Sequence, residues 1–521
     1  MKTSGSFQRK LRLFGKLCLP LLTSVVVGCG SSSDGGTTVA AAGNGGGGGG
    51  NVPTPTGSQQ QFAYSDFAAG SRATVVVGNT PTTERTSADA TVAVAVNQSF
   101  GALGRFSLSR REKHEAHSGC ATADIAILKQ LMGPSEPRAQ AAPTVLRRYQ
   151  ELEEGAQEDF QIILGSRTMR AEKVLAPGET VRCTIFAELD GNGDPCISRS
   201  KALMVAQAFD SNNPARPGSG IYDQVRAVFG SEWTANGGID GDSKIVLLFF
   251  RSATLGSGLY GFTSPIDSDP DATSFSNHAE ILYLNADKDE QQTLSTLAHE
   301  FQHLICENQK IIRQGTFPAG AVEENVSLNE GLSELAEEVC GFTLERGNTL
   351  LADYINDYLS RPEEHELFNF NATGVGYGQG YLFYRYLREH YGDNTIRLLA
   401  TSDRVGMANL ESVPNGFREN FRRWTIANWA TNLSGSPAIY QYPSGFRTNG
   451  TYAAGSLSGV VPFELGNGQT ASYPGMGAWS VAYFTFANGN GSDLSLTVDV
   501  PANSSASSIL EQAQGSFTRL D

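Results

Sequence analysis

The sequence His299-Glu300-Phe301-Gln302-His303 decides the fold, because it lies in residues 289–308, which have a strongly helical pattern. The apolar residues of this stretch recur at i, i+3, i+4 and i+7, as expected for a helix that buries one face. Two histidines four residues apart project from the same side of such a helix. That spacing lets two imidazoles bind one zinc ion at about 2.0–2.1 Å, with Glu300 placed to take a proton from water.

A catalytic zinc site needs a third protein ligand and an open position for water. The segment Asn329-Glu330-Gly331-Leu332-Ser333-Glu334 supplies a candidate. The order His-Glu-x-x-His, then Asn-Glu-x-x-Ser-acid, resembles the gluzincin (thermolysin-like) metallopeptidases, and the fuller strings most resemble the hyicolysin-type family. The resemblance implies an α+β, thermolysin-like metallopeptidase domain flanked by small β-rich domains. It also implies Glu330 as the third zinc ligand and Glu334 as the acid that orients a zinc histidine.

Two features of this segment leave alternatives open. Ser327 and Glu330 also have the spacing of a capping box, in which Glu330 would only cap its own helix. That interpretation does not explain the His-Glu-x-x-His motif. Thermolysin-like enzymes have aspartate at the position of Glu334, so its role is a weaker inference than that of Glu330.

A third segment concerns the oxyanion that forms when water attacks a peptide carbonyl. Tyr377-Gly378-Gln379-Gly380 opens a helical run that stops at Gly392. It resembles the Tyr-x-x-Gly segment of the aminopeptidase branch of gluzincins, whose tyrosine hydrogen-bonds the oxyanion. We therefore expect Tyr377 in this role, with Tyr381 as the second candidate and a buried core aromatic as the alternative.

Two apolar runs before the histidine helix have the pattern of strands. Residues 244–250 read as a buried strand, and residues 278–284 read as a second strand. The segment Asn277-His278-Ala279-Glu280-Ile281 resembles the edge strand along which gluzincins hold substrate by main-chain pairing. We expect His278 to be a structural or substrate-edge histidine and not a ligand.

The chain divides into five segments by composition. Residues 1–29 read as a lipoprotein signal and 30–60 as a Gly/Ser/Pro linker. Residues 61–165 read as a β-rich N-terminal region that could be a removed prodomain or a permanent accessory domain. We expect the zinc metallopeptidase domain at 166–445 and a small β domain at 446–521.

The N-terminus has the features of a bacterial lipobox. A basic region and a short apolar stretch end in Val26-Val27-Gly28-Cys29, after which Gly30 begins a Gly/Ser run. Acylation of Cys29 would anchor the chain to a membrane surface without a spanning helix. The alternative is an ordinary signal peptide with a chance cysteine. The expected location is the cell surface or periplasm, with outer-membrane sorting if the cell is Gram-negative.

Five cysteines follow Cys29, so at least one thiol stays free or pairs elsewhere. Cys183 and Cys196 flank an Asp/Gly turn and are the most natural disulfide pair. A second pairing, Cys306 with Cys340, would staple the two expected metal-binding helices.

Three acidic runs, 190–194, 240–242 and 267–271, could offer oxygens to Ca²⁺. None completes an EF-hand loop, and ordinary Asp/Gly turns are favoured. The net charge of −15, with no basic stripe after the N-terminal region, argues against a nucleic-acid partner.

These features predict a zinc endopeptidase that acts on proteins or peptides. One alternative is a surface binding protein with a catalytically silent zinc fold, although a purely structural site is expected to close its fourth position. The other is an aminopeptidase. The sequence has no Gly-x-Met-Glu-Asn type segment to bind a substrate α-amine, so it favours an endopeptidase.

Overall fold

The chain has a mixed α+β fold, seen in a computed structural model. The structure describes residues 58–65, 67–84, 90–98, 104–107, 121–122, 149–164, 166–232, 238–268, 276–310, 323–370, 376–487, 491–500, 504–512 and 515–521. Residues Pro55–Asp521 form one compact unit.

The described strands form three larger sheets and one small hairpin. In chain order they are β1 (Ser58–Tyr64), β2 (Arg72–Gly78), β3 (Ala90–Gln98), β4 (Gly104–Ser107), β5 (Ala121–Thr122), β6 (Gln157–Ile162), β7 (Arg167–Lys173), β8 (Cys183–Glu188), β9 (Ile245–Phe250), β10 (Gly261–Thr263), β11 (Ile281–Asn285), β12 (Thr451–Tyr452), β13 (Gly455–Ser456), β14 (Phe463–Leu465), β15 (Gln469–Met476), β16 (Val481–Phe486), β17 (Leu494–Val500), β18 (Ser505–Gln512) and β19 (Ser516–Leu520).

The described helices lie between β8 and β12. They are α1 (Arg199–Asp210), α2 (Ile221–Phe229), α3 (Ser252–Leu255), α4 (Glu290–Lys310), α5 (Val326–Val339), α6 (Thr349–Ser360), α7 (Tyr377–Tyr391), α8 (Asp393–Thr401), α9 (Gly406–Leu410) and α10 (Gly416–Ala430). None of these helices is both long and apolar enough to cross a membrane.

A seven-stranded mixed sheet positions the histidine helix. Its order is β5-β10-β11-β9-β8-β7-β6, with β8, β9 and β11 mutually parallel. Strands β8, β9 and β11 are buried along their whole length, which explains why 245–250 reads as a continuous apolar run. One face packs against the helices, including Leu294, Leu297 and Phe301 of α4. The other face carries an aromatic core with Tyr149, Phe160, Phe186 and Phe262.

The remaining large sheets form a sandwich that draws strands from both ends of the chain. One sheet has the order β1-β17-β3-β15-β4 and the other β14-β16-β2-β18-β19. Strand β3 lies between β17 and β15, and β2 lies between β16 and β18. The boundaries expected at 165 and 446 therefore do not separate two β regions, because strands from 58–107 and 463–520 pair within the same sheets.

Strand β2 shows why the sandwich is continuous with the rest of the molecule. Its side chains alternate between two faces. Val75 and Val77 face the core between the two sandwich sheets, whereas Val76 belongs to the same core as the helices. This strand is therefore buried on both faces and connects the two hydrophobic cores.

The strand predicted at 278–284 starts later than expected and does not lie at the edge of the sheet. Strand β11 begins at Ile281, and His278 has a left-handed φ of +49° that cannot continue a strand. Strand β11 pairs with β9 on one side and with β10 on the other, so it is not an edge strand. Strand β10 lies further out, and its other side pairs in parallel with β5 at Ala121 and Thr122.

The expected disulfide between Cys183 and Cys196 is wrong, since both are free thiols. Cys183 begins β8, whereas the amide of Cys196 donates to the carbonyl of Glu188 at the opposite end of that strand. A strand of this length separates its ends by roughly 16 Å, far beyond the reach of a disulfide.

The expected pairing of Cys306 with Cys340 is also wrong. Cys306 lies near Glu324, just before α5 begins, whereas Cys340 directly follows the last residue of α5. A helix of that length spans roughly 21 Å, so the two thiols lie near opposite ends of α5.

Candidate active site

The two motif histidines are buried side by side on α4. The helix extends over Glu290–Lys310, which confirms the predicted helix with two more residues at its C-terminus. The side chains of His299 and His303 are fully buried, and their ring centroids are 4.9 Å apart. Consecutive turns of one helix therefore present both imidazoles to the same small volume.

Glu330 completes a group of three candidate ligands. Its Oε2 lies 3.2 Å from Nε2 of His299 and 3.4 Å from Nε2 of His303. The structure excludes the capping-box alternative, because the N-cap of α5 is Asn325, whose side chain accepts a hydrogen bond from the amide of Ser327. Glu330 is thus one turn inside its helix, with its carboxylate directed at the histidines.

The donor set fits zinc in both chemistry and spacing. Two imidazole nitrogens and a carboxylate oxygen are a common three-residue set for catalytic zinc. Ligands about 2.0–2.1 Å from a tetrahedral ion lie roughly 3.3 Å from one another. The distances from Oε2 of Glu330 to the two Nε2 atoms, 3.2 and 3.4 Å, match that value. All three donor atoms lie within 4.8 Å of one another.

The carboxylate of Glu330 is held in its charged form. Burial alone would raise its pKa, but the neighbouring His303 and His299 favour the anion and lower the pKa to about 2. Glu330 is therefore an anionic donor near neutral pH.

Close contact between α5 and α7 fixes the position of Glu330. A Cβ atom built on Gly331 would lie 2.6 Å from the carbonyl carbon of Gly380, which is closer than real contacts allow. The two helices thus touch backbone to backbone, immediately beside Glu330 on α5 and three residues after Tyr377 on α7. Gly331 and Gly380 allow this close approach, whereas Gly378 allows α7 to approach the backbone of Tyr354 on α6.

Glu300 is buried between α4 and β10. Its side chain is fully enclosed, and a Cβ atom on Gly261 would lie 3.0 Å from Cγ of Glu300 and 2.6 Å from Cγ2 of Thr296. Glycine at position 261 therefore lets the strand approach α4 at the level of Glu300. The candidate general base lies next to the outermost part of the sheet.

The Nδ1 side of His299 faces two carboxylates of α5. Oε1 of Glu337 lies 3.2 Å from Nδ1, and Oε1 of Glu334 lies at 3.5 Å. The second oxygen of Glu337 accepts a hydrogen bond of 3.0 Å from Nδ2 of Asn348. The family pattern pointed to Glu334 alone and not to Glu337. The helical spacing was the available signal, because residues 330, 334 and 337 share one face.

Tyr377 lies near the candidate ligands, whereas Tyr381 is engaged elsewhere. Tyr377 is the first residue of α7, and its ring centroid is 6.3 Å from that of His299 and stacked on Tyr354 at 4.6 Å. The hydroxyl of Tyr381 donates to Glu338 and accepts from Arg385. Of the two tyrosines, Tyr377 is the one the structure brings to the site.

A second buried acid group lies beside Glu300, on the same side of α4. Glu307 follows Glu300 by two turns and accepts a hydrogen bond of 2.9 Å from Oγ1 of Thr263 on β10. Burial, with smaller contributions from Asp267 and Glu300, raises the pKa of Glu307 to about 8. Burial likewise raises the pKa of Asp267 to about 7. These acids bind their protons more tightly in the folded chain than in water.

Two of the acidic runs considered for calcium, 190–194 and 240–242, form ordinary turns. Oδ1 of Asp190 accepts from the amides of Asn192 and Asp194, and Oδ1 of Asp240 accepts from the amide of Asp242. Within the described ranges, both groups of potential metal ligands include His299, and neither includes a residue of these runs. Residues 269–271 of the third run lie outside the described residues, as does Cys29.

Comparisons with known proteins agree with the chemistry of the site. The Peptidase_M78 family, described as an IrrE N-terminal-like domain, matches residues 262–335. This segment includes most of β10, all of β11 and α4, and the part of α5 that carries Glu330. The neutral metalloprotease ShpI of Staphylococcus hyicus is 28% identical over 210 residues, or 37% of this chain. These matches support a zinc metallopeptidase. The chain covers 43% of the length of ShpI.

A solved structure with partial similarity is an M1 zinc metallopeptidase mutant from Deinococcus radiodurans. It is 13% identical, with a TM-score of 0.26, over 51% of this chain and 50% of that one.

Proposed function

We propose that this chain is a zinc-dependent endopeptidase of the gluzincin type. The observation that carries the proposal is the convergence of Nε2 of His299, Nε2 of His303 and Oε2 of Glu330, at spacings suited to one tetrahedral ion. Glu300 adds a buried carboxylate on the same helix. Protein or peptide substrates follow from the metallopeptidase matches.

The chemistry divides between the metal and the side chains. A bound zinc ion would lower the pKa of water to about 7 and polarise the substrate carbonyl. Glu300 accepts the proton of the attacking water and returns it to the leaving amine. Tyr377 donates a hydrogen bond to the oxyanion that forms on the carbonyl oxygen. His299, His303 and Glu330 would hold the metal ion through Nε2, Nε2 and Oε2.

The decisive experiment compares Glu300→Gln with Glu290→Gln. Glu290 is an exposed residue at the start of the same helix, so its variant controls for the change of a carboxylate to an amide on α4. Glu300→Gln should keep one bound zinc per chain and lose nearly all cleavage of a quenched peptide, whereas Glu290→Gln should keep both. Full activity in Glu300→Gln would end the proposal. A wild-type chain that binds zinc without cleaving any peptide would identify a silent zinc-fold binding protein instead.

Two further assays define the details of the reaction. Tyr377→Phe should lower kcat with little change in KM, because the tyrosine hydrogen bond forms in the transition state; an unchanged kcat would remove Tyr377 from the mechanism. N-blocked peptides should be cleaved as well as peptides with a free amine. A strict need for the free α-amine would make the enzyme an aminopeptidase.

We also propose that Cys29 is acylated and anchors the chain to a membrane surface, most simply the outer membrane. The support is the lipobox sequence that ends at Cys29. Radiolabelled fatty acid should be incorporated into the wild-type chain and not into Cys29→Ser. Equal labelling of both chains would exclude the anchor.

A further inference from the structure

Three aromatic rings meet at the start of α7, where Tyr377 contacts the other two. The ring of Tyr354 on α6 stacks against that of Tyr377, with centroids 4.6 Å apart and planes inclined by 17°. The ring of Phe370 contacts Tyr377 at 5.1 Å with the planes at 90°. Tyr354 and Tyr377 are buried, whereas Phe370 is half-buried. Two rings in two different geometries thus hold Tyr377, whose centroid lies 6.3 Å from that of His299.

We infer that Tyr354 and Phe370 form a clamp that fixes the side chain of Tyr377 in the position from which its hydroxyl can donate to the oxyanion. A tyrosine hydroxyl moves by several ångströms when χ1 changes from one staggered rotamer to another. Such a change would separate both ring pairs, and each pair stabilises the fold beyond the area that it buries. The inference rests on the proposed function of Tyr377, and it assigns two positioning residues to that side chain.

Two glycines beside Tyr377 make room for this clamp. A Cβ atom on Gly376 would lie 2.6 Å from Cδ2 of Phe370, which is closer than real contacts allow. A Cβ atom on Gly378 would lie 2.5 Å from the carbonyl carbon of Tyr354. The residues on either side of Tyr377 therefore lack side chains at the points where the chain meets its two aromatic partners.

The clamp is anchored to the helix that carries the third candidate ligand. Phe370 ends a segment in which the carbonyl of Phe368 accepts a hydrogen bond of 2.9 Å from Nδ2 of Asn325. Asn325 is the N-cap of α5, the helix of Glu330. Tyr354 lies inside α6, so a regular helix fixes its backbone. The positions of both clamp residues are thus set by the framework of the site.

The physical effect is preorganisation of the candidate oxyanion donor. A donor stabilises an oxyanion when it is already in place before the charge develops. A misplacement of about 1 Å can cost roughly 100-fold in rate. Because the clamp acts through Tyr377, its loss should cost no more than the loss of the Tyr377 hydroxyl. This limit distinguishes a positioning role from a general structural role.

The kinetic experiment uses the full, zinc-loaded chain. Tyr354→Leu and Phe370→Leu each remove one ring and should lower kcat about 10-fold or more, with KM changed by less than about threefold. Tyr354→Phe and Phe370→Tyr keep the rings and should recover most of the kcat that the leucine variants lose. In a Tyr377→Phe chain neither leucine substitution should lower kcat further, because the hydroxyl that the rings position is absent.

Tyr358→Leu is the matched control, since Tyr358 lies one turn later on α6 and its ring stacks on Trp424. It should lower the urea midpoint and change kcat by less than about threefold, with or without the Tyr377 hydroxyl. The inference is overturned if Tyr354→Leu lowers kcat by the same factor in the wild-type and Tyr377→Phe chains. It is also overturned if Tyr354→Phe is as impaired as Tyr354→Leu, because the hydroxyl of Tyr354 would then act directly.

Crystal structures of the two leucine variants give a readout that needs no turnover. The ring of Tyr377 should leave its place beside His299 or occupy more than one conformer, and an unmoved ring in both variants would overturn the inference. If Tyr354→Leu does not fold, Phe370→Leu decides, because a half-buried ring leaves a smaller cavity.

Failure of the clamp and failure of the proposed function are distinguishable. A wild-type chain that binds zinc and cleaves no peptide would refute the proposed function, and the crystal structures would still decide whether the clamp holds Tyr377. An unchanged kcat in Tyr377→Phe would overturn the inference and leave the zinc peptidase standing.

Discussion

Replacing Glu307 by glutamine should stabilise the protein, and the gain should grow as the pH rises. Burial, together with smaller contributions from the nearby Asp267 and Glu300, raises the pKa of this carboxyl from 4.5 to about 8, although the hydrogen bond from Thr263 opposes the shift. The folded state thus favours the protonated acid. The associated stability is fully present below about pH 4.5 and is lost as the pH rises to about 8.

The size of the effect follows from the same pKa values. Each pKa unit corresponds to about 1.4 kcal/mol, so the ionised form costs the folded state roughly 4–5 kcal/mol above pH 8 and about 3 kcal/mol at pH 7. Glutamine cannot ionise, and its amide oxygen can still accept from Oγ1 of Thr263. A gain of this size is large against the roughly 5–15 kcal/mol of a typical domain.

The assay is urea unfolding of wild-type and Glu307→Gln chains between pH 5 and pH 8.5. Taking the difference between the two chains removes the contribution of other titrating groups to first order. Relative to its value at low pH, the difference should be about 1 kcal/mol at pH 5 and reach about 4–5 kcal/mol at pH 8.5. Glu464→Gln, at an exposed site on β14, should give no trend. A pH-independent difference, or a less stable Glu307→Gln at pH 8.5, would refute the argument that the buried acid is neutral.

Two other predictions concern the framework of the site. Gly331→Ala should force α5 away from Gly380, cost about 1–3 kcal/mol of stability and weaken zinc binding. The control is Gly178→Ala, because no atom lies within 4 Å of a Cβ at that position. This control should change neither the urea midpoint nor the zinc affinity. Removal of residues 1–107 should abolish cooperative thermal unfolding, because both sandwich sheets lose inner strands. Removal of residues 1–57 should preserve cooperative unfolding. A well-folded chain without residues 1–107 would restore the interpretation of 61–165 as a removable prodomain.

Local patterns predicted the elements that carry the site. The helical periodicity around His299 and His303 predicted α4, and the apolar run at 245–250 predicted β9. The start of α7 at Tyr377 and its end before Gly392 agreed with the glycine signals at both ends. These features depend on neighbouring residues in the chain, and for that reason they can be read without knowledge of tertiary contacts.

Long-range pairing could not be read in the same way. The β-rich composition of 61–165 predicted strands, and β3 (Ala90–Gln98) is one of them, but its partners β15 and β17 lie more than 370 residues later in the chain. Alternation of side chains identifies a strand face and says nothing about which strand lies beside it. The single sandwich built from both ends therefore emerged only from the structure.

Close spacing in sequence also misled in one case. Cys183 and Cys196 flank a tight turn, but Cys183 lies a full strand before that turn, at the far end of β8. The turn brings Cys196 back to Glu188 and no further. Glu337 was missed for a different reason. Helical spacing from Glu330 is enough to place Glu337 on the same face, but the family pattern drew attention to Glu334 instead.

The sandwich is in direct contact with the helices of the candidate active site, so the folded unit that holds the site is larger than the segment matched at 262–335. Trp479, just before β16, has a left-handed φ of +55°, an uncommon conformation that persists only where many contacts determine it. Its amide donates to Asn79 at 2.7 Å, and its carbonyl accepts from Leu367 at 3.3 Å and from Gln379 at 3.5 Å. Gln379 lies two residues after Tyr377 on α7. The sandwich thus supports the start of α7, where the candidate oxyanion donor Tyr377 lies. For this reason we expect the strands of 58–107 and 463–520 to be retained in the proposed active enzyme.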